Sequence, residues 1–250
     1  MSRKPNKTRP VTSRTAKKKF IDVTKVIMPE VPEIKFVNRL IAKTDNQKEY
    51  IRTVAENDIT FCQGVAGTGK THIAIGLAID WLLRDKVSKI VITRPVVEAG
   101  EKLGYLPGSA EEKLHPYLIP ILDEINHFIS MADYARLKND HKIEIVPLGL
   151  MRGRNFHDCF IVADECQNAT YEQLKMLITR IGNDSTMVLT GDAAQTDLNR
   201  HQKGGFIKLM ERLPDVEGVG LAFLEASDII RNPIIGRILD KLEEYENRPY

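Results

Sequence analysis

Short unbroken apolar runs alternate along this chain with stretches whose apolar positions recur every three or four residues, which predicts strands and helices in turn. Thr44 or Asp45 can cap a helix running to about residue 54. Ile59, Thr60, Phe61 and Cys62 form a short apolar run, and a glycine-rich turn follows. Residues 70–83 read as a helix that is apolar nearly all round, from Ile73 to Leu82, which predicts cover on most sides. Ile90, Val91 and Ile92 form a strand with no polar face, as a parallel strand covered on both sides requires. Leu114 through Ile129 follow helical spacing, but Pro116 and Pro120 predict a kink or two segments there. Residues 143–146, 160–163 and 187–190 read as further strands. Residues 170–181 read as a helix, with Thr170 and Gln173 at capping-box spacing. Residues 219–224 are a candidate last strand, and Ile234, Ile235, Ile238, Leu239 and Leu242 define a closing amphipathic helix.

Strand and helix in alternation predict an α/β fold: one parallel sheet with helices on both faces. The expected organisation is a basic arm over residues 1–19, an extension over 20–43 with a strand or lead-in at Phe20 to Thr24, and one domain over 44–250. No internal repeat or long low-complexity segment is present.

Composition narrows the class. The chain has 250 residues, 42% hydrophobic and 28% charged, which is ordinary globular usage. No apolar run approaches the ~18 residues of a membrane span, and the start of the sequence lacks the apolar region of a secretory signal. The net charge of +2 hides an asymmetry: residues 1–19 carry eight Lys or Arg and no acid, and the remainder carries 28 basic and 34 acidic residues, a balance of −6. Such an arm suits either contact with nucleic-acid phosphates or a disordered, solubilising leader. Three cysteines, Cys62, Cys159 and Cys166, suit reduced thiols in a cytoplasm-like compartment. The six histidines show no zinc-type spacing with them.

Gly64, Val65, Ala66, Gly67, Thr68, Gly69, Lys70 and Thr71 fit the pattern G-x-x-x-x-G-K-[ST] between a strand and a helix. The glycines let the backbone turn tightly and aim N–H groups at phosphate oxygens, and the following helix adds its positive end. Lys70 is placed to reach the β- and γ-phosphates and Thr71 to hold Mg²⁺. A second apolar strand ends in adjacent acids: Asp164 can hold the Mg²⁺ shell, and Glu165 can orient or deprotonate a water. A third turn, Thr190 to Gln195, follows the next strand at the same sheet edge, where Gln195 can hydrogen-bond the γ-phosphate or the attacking water. Thr93 and Arg94 end the strand beside the loop. Arg94 suits either a nucleic-acid phosphate contact or an ion pair within or between subunits.

Together these motifs resemble the helicase-like P-loop ATPases of superfamily 1. Residues 92–108, from Ile92-Thr93-Arg94-Pro95 to Leu106-Pro107-Gly108, narrow the resemblance to the PhoH family. So do Met151-Arg152-Gly153-Arg154, Asp164-Glu165-Cys166-Gln167-Asn168 and Leu177-Ile178-Thr179-Arg180-Ile181-Gly182. The resemblance spans about residues 44–240 and implies a RecA-like P-loop NTPase using ATP and Mg²⁺. It implies that Gln47 reads the adenine edge and that Arg231, or Arg180, touches the γ-phosphate. Cys166 stands where the family usually carries Ala, a small substitution. The chain has room for one RecA-like domain, so the arginine that completes the site is expected from a neighbouring subunit, in a ring that the resemblance makes a hexamer. No nuclease domain of the kind fused to some relatives is expected.

Two activities fit this reading. One is a cytoplasmic Mg²⁺-dependent ATPase coupled to binding or remodelling of single-stranded RNA or DNA. The other is an ATP-gated oligomeric module that recruits a protein partner with little turnover. Glu165 and Gln195 favour the first, and a P-loop kinase gives the paired acids no clear work.

Overall fold

A computed structural model describes residues 33–95, 110–198 and 204–230, together with Ile234, Ile238 and Lys241. The arm, the strand expected at Phe20 to Thr24, most of the 92–108 stretch, Arg231 and most of the closing helix lie outside the described residues. Ile234, Ile238 and Lys241 are helical.

The chain divides into Met1–Glu33 and a body over Ile34–Tyr250. In the body, α1 (Asp45–Glu56), β1 (Ile59–Gly64), α2 (Lys70–Leu83), β2 (Lys89–Arg94), α3 (Ala110–Phe128) and α4 (Met131–Asn139) come first. Then come β3 (Ile143–Pro147), β4 (Cys159–Ala163), α5 (Tyr171–Ile178), β5 (Thr186–Gly191), α6 (Gly205–Arg212) and β6 (Val219–Leu224). The strands form one six-stranded sheet, order β3-β2-β4-β5-β1-β6, and every pairing is parallel. The expected α/β class with helices on both faces is the fold observed.

Alternate strand residues point to opposite faces, and each face of the sheet packs on its own core. Phe160 and Val162 join one core with Tyr50, Ile75, Ile79, Ile125 and Leu137, beneath α1–α4. Ile161 and Ala163 join the other with Leu174, Leu177, Phe206 and Leu209, beneath α5 and α6. Residues 34–43 also pack on the first core: Ile34, Phe36 and Leu40 contact it, and Val37 N–H donates to Phe128 O at 2.7 Å.

Most predicted boundaries fall within two residues of the elements. Thr44 caps α1 by accepting from Gln47 N–H, and the Thr170–Gln173 capping box opens α5. Of the kink or two segments expected at Pro116 and Pro120, the two segments are not found: a single helix, α3, contains both prolines. Prolines four residues apart share one helix face. Both are exposed, so their rings do not enter the core. The break comes instead at Ser130, which caps α4 by accepting from Asp133 N–H. No described helix is long and apolar enough to cross a membrane.

Candidate nucleotide site

The register places the ends of β1, β4 and β5 at one edge. Gln63 pairs with Gly191, and Ala163 pairs with Leu189. The loop from Gly64 to Thr71 leaves β1 there. Gly67 and Gly69 hold φ of 84° and 88°, left-handed values that favour glycine. Gly64 is needed for proximity, because a Cβ there would lie 2.7 Å from Leu224 O. Thr68 Oγ1 donates to Val65 O at 2.9 Å and tightens the turn. Lys70 Nζ donates to Gly64 O at 2.6 Å and Val65 O at 2.9 Å, so its ammonium lies over the loop's mouth.

The two acids after β4 have different surroundings. Asp164 is 4% exposed, and its Oδ1 accepts from Thr71 Oγ1 at 2.6 Å and Thr190 Oγ1 at 2.7 Å. Its N–H donates to Thr93 O at 2.9 Å, tying β2 to the turn. Glu165 is half-buried and adopts φ of 56°, a left-handed conformation unusual for a side chain of its size. Gln167 Nε2 donates to Glu165 Oε2, Arg94 Nη2 lies 3.5 Å from Oε1, and Gln167 Oε1 accepts from Asp192 N–H at 3.0 Å. Gln167 therefore joins the β4 and β5 turns, a role that sequence reasoning missed although the residue lies only two positions beyond Glu165. Such strain persists where the surroundings over-determine it, as Gln167 and Arg94 do for this side chain.

A cleft of about 390 Å³ opens over the loop. Gly67, Gly69, Lys70, Thr71 and Glu165 line it together with Ile41, Gln47, His72, Glu124 and Ile230. Its size suits a nucleotide-scale ligand. Two buried polar atoms at the sheet edge lack partners among the described residues, Thr93 Oγ1 and Asp192 Oδ2. The oxygen pair of Thr71 and Asp164, a hard-donor set, fits Mg²⁺, and the loop amides with Lys70 fit phosphates. The residues present thus suit a nucleoside triphosphate with its metal.

The other expected residues are placed as follows. Gln47 is 2% exposed, with both ends of its amide bonded: Oε1 accepts from Lys43 N–H at 2.8 Å, and Nε2 donates to Thr68 O at 2.9 Å. Gln195 stands at the expected edge but outside the cleft lining, with its N–H on Asp192 O at 3.1 Å. Thr93 is enclosed, and Arg94 turns toward Glu165. Arg180 sits at the opposite edge, where its carbonyl accepts from Phe156 N–H before β4 begins. That is at least a strand's length from the glycine-rich loop of its own chain, about 17 Å for five residues. In the Met151–Arg154 stretch, Arg154 grips Glu144 through two hydrogen bonds of 2.7 and 2.8 Å and stacks over Phe156. Arg154 and Lys89 hold the Glu144 carboxyl down at about 2. The cysteines are unbridged and buried, and burial pushes the Cys62 thiol up to about 12 and Cys166 well above the usual range. Cys166 therefore behaves as a small apolar residue.

A phosphate loop after the first strand, paired acids after another and a doubly wound parallel sheet define a P-loop NTPase fold of the RecA-like class. The chain belongs to the PhoH-like family, whose model, described as PhoH-like protein, matches residues 39–243. It is 45% identical over 206 residues to a PhoH-like protein of Synechocystis, covering 82% of this chain and 63% of that protein. It is 40% identical to a PhoH-like protein of Bacillus subtilis, covering 81% and 63%. The chain thus spans less than two thirds of the length of these relatives. Among solved structures, the UvsW helicase of bacteriophage T4 aligns at a TM-score of 0.45 and 16% identity, over 77% of this chain and 64% of that chain.

Proposed function

We propose that this protein binds ATP with Mg²⁺ and hydrolyses it in the cytoplasm, and that single-stranded RNA or DNA is coupled to the hydrolysis. The observation that carries the reading is the division of labour between neighbouring acids: the oxygen pair of Asp164 and Thr71 beside a Glu165 that lines the cleft. The loop amides and Lys70 bind the phosphates, and Lys70 exchanges its carbonyl partners for phosphate oxygens. Thr71 and Asp164 would hold Mg²⁺, which would supply positive charge against the phosphates. Glu165 orients a water in line with the γ-phosphate and takes its proton, with Gln167 fixing the carboxylate. Gln195 completes the water's surroundings, and Gln47 supports the adenine end by bracing Thr68.

The position of Arg180 at the far edge favours a contribution to a neighbouring subunit's site over its own, as in a closed ring. Arg231 is the alternative donor, and a hexamer is the ring proposed. Arg94 is the proposed link to nucleic acid, with Thr93 shaping the strand end behind it. A backbone phosphate competes with Glu165 for the guanidinium, so binding at the rim reaches the water-positioning group. The eight basic residues of the first nineteen add a charge-based attraction to the same polymer.

The test is phosphate release from ATP and Mg²⁺ with and without single-stranded RNA or DNA. Turnover should rise with one of the polymers and vanish in Lys70→Ala. Tight ATP binding with no turnover under either condition overturns the proposal and leaves an ATP-gated module recruiting a protein partner.

A further inference from the structure

The cleft over the phosphate loop also holds a side chain that the proposed reaction does not use. His72 follows Thr71 in the first turn of α2, and its ring is fixed on three sides. Nδ1 lies 2.9 Å from Glu124 Oε2. The His127 ring meets it edge-on at 4.9 Å, and the Phe128 ring lies tilted at 4.7 Å. These partners all come from α3, which approaches α2 closely at Gly76, where a Cβ would lie 2.7 Å from Phe128 Cζ. The His72 side chain remains 32% exposed, and the residue lines the cleft.

Two aliphatic side chains line the same cleft while largely open to water, Ile41 at 68% and Ile230 at 43% exposure. Ile230 is tied to the phosphate loop by its N–H on Gly67 O at 3.3 Å. A braced planar ring and two exposed aliphatic groups in one cleft match a flat heterocycle, which has apolar faces to cover. Gln47 lines the same cleft, with its amide already bonded to Lys43 and Thr68.

We propose that His72 is the nucleobase platform of this site: the purine ring of the bound nucleoside triphosphate stacks on the imidazole, with Ile41 and Ile230 closing the slot, and Glu124 is the positioning residue that holds the ring. The inference rests on the reading of the cleft as an ATP site and adds which residues give the base its share of the affinity. Affinity for the base and affinity for the phosphates then become separable. Stacking on an aromatic ring supports about a tenfold difference in Kd, at the lower end of the usual range for base stacking.

The experiment is calorimetric titration of the full chain with Mg²⁺ and either ATP or inorganic tripolyphosphate, which lacks base and sugar. His72→Ala should weaken ATP about tenfold and leave tripolyphosphate unchanged, while His72→Phe retains ATP within about threefold. Glu124→Gln should weaken ATP by a few-fold, again without effect on tripolyphosphate. Ile41→Ser, at an exposed position that tolerates polarity, should weaken ATP alone and keeps the test available if His72→Ala folds poorly. Equal losses for both ligands, or no loss for ATP, overturn the platform. A wild-type chain that takes up tripolyphosphate and ATP with equal affinity overturns it too. A wild-type chain that binds neither overturns the ATP-site reading itself, and this inference with it.

Discussion

Replacing Asp164 by Ala removes the acceptor of two hydroxyl groups at once. Thr190 is 0% exposed, and its only other acceptor among the described residues is Ala163 O at 3.5 Å, the limit of a hydrogen bond. Leaving that hydroxyl stranded costs about 1–3 kcal/mol. Thr71 is half-buried and can turn to water, so its loss is smaller. Relief of the buried carboxylate's own desolvation offsets part of the total. The net expectation is about 2–3 kcal/mol, or a fall in Tm of about 5–10 °C for a domain of this size. Thr190→Val in the same chain removes the stranded group, so the double variant should be more stable than the sum of the single effects predicts. Asp164→Asn keeps an oxygen acceptor and loses only the charge. It should unfold within about 1 kcal/mol of wild type. Differential scanning fluorimetry with ATP alone and with ATP plus Mg²⁺ reads both parts. Mg²⁺ should raise Tm further in wild type and add nothing in Asp164→Asn. An Ala variant that melts within a degree of wild type, or an Asn variant that keeps the full Mg²⁺ increment, refutes the reasoning.

Gly76→Ala places a methyl 2.7 Å from Phe128 Cζ and 3.1 Å from Leu40 Cδ1. Overpacking should exceed alanine's helix preference, lowering stability in urea by about 1–2 kcal/mol and weakening ATP through displacement of Glu124 from His72. Glu144 titrates at about 2, against 4.5 for the free group, chiefly because Arg154 hydrogen-bonds its charged form. A lowered carboxyl adds stability above its unfolded pKa and loses it as pH falls through the folded one. Glu144→Gln should therefore erase about 1 kcal/mol of stability that wild type holds near neutral pH and loses below pH ~4.5, after allowance for solvent screening. Urea midpoints measured from about pH 5.5 to pH 2 check this, and parallel curves for the two proteins count against it.

The strand–loop–helix over residues 59–83 was legible because its signals are local: an unbroken apolar run, glycines at fixed spacing, then a helix period. The covered strands could be read because a sheet packed on both faces leaves no polar alternation. α4 and α6 were missed because each is short. α4 anchors through only Tyr134 and Leu137, too few positions for a period. α6 starts at a left-handed Gly204 with no side-chain cap. The pairing of His72 with Glu124 spans 52 positions, and that of Arg94 with Glu165 joins separate strands, so neither has a local pattern. The place of Arg180 was readable in principle. A helix that follows a parallel strand carries the chain back to the sheet's starting edge, so a residue at the helix's end lies far from the phosphates. Gln167 could have been noticed as an amide two residues past the key acid, but its second partner, Asp192, belongs to a different turn.

The measurement that bears most directly on the central claim is single-turnover hydrolysis by Glu165→Gln beside wild type, with ATP affinity measured on the same samples. Glutamine keeps the side chain's shape and its contact with Gln167 but cannot take a proton. The account predicts unchanged Mg²⁺-dependent ATP binding and a hydrolysis rate lower by about 100-fold or more, the usual contribution of a positioned base. A variant that hydrolyses ATP as fast as wild type would contradict it and remove Glu165 from the reaction.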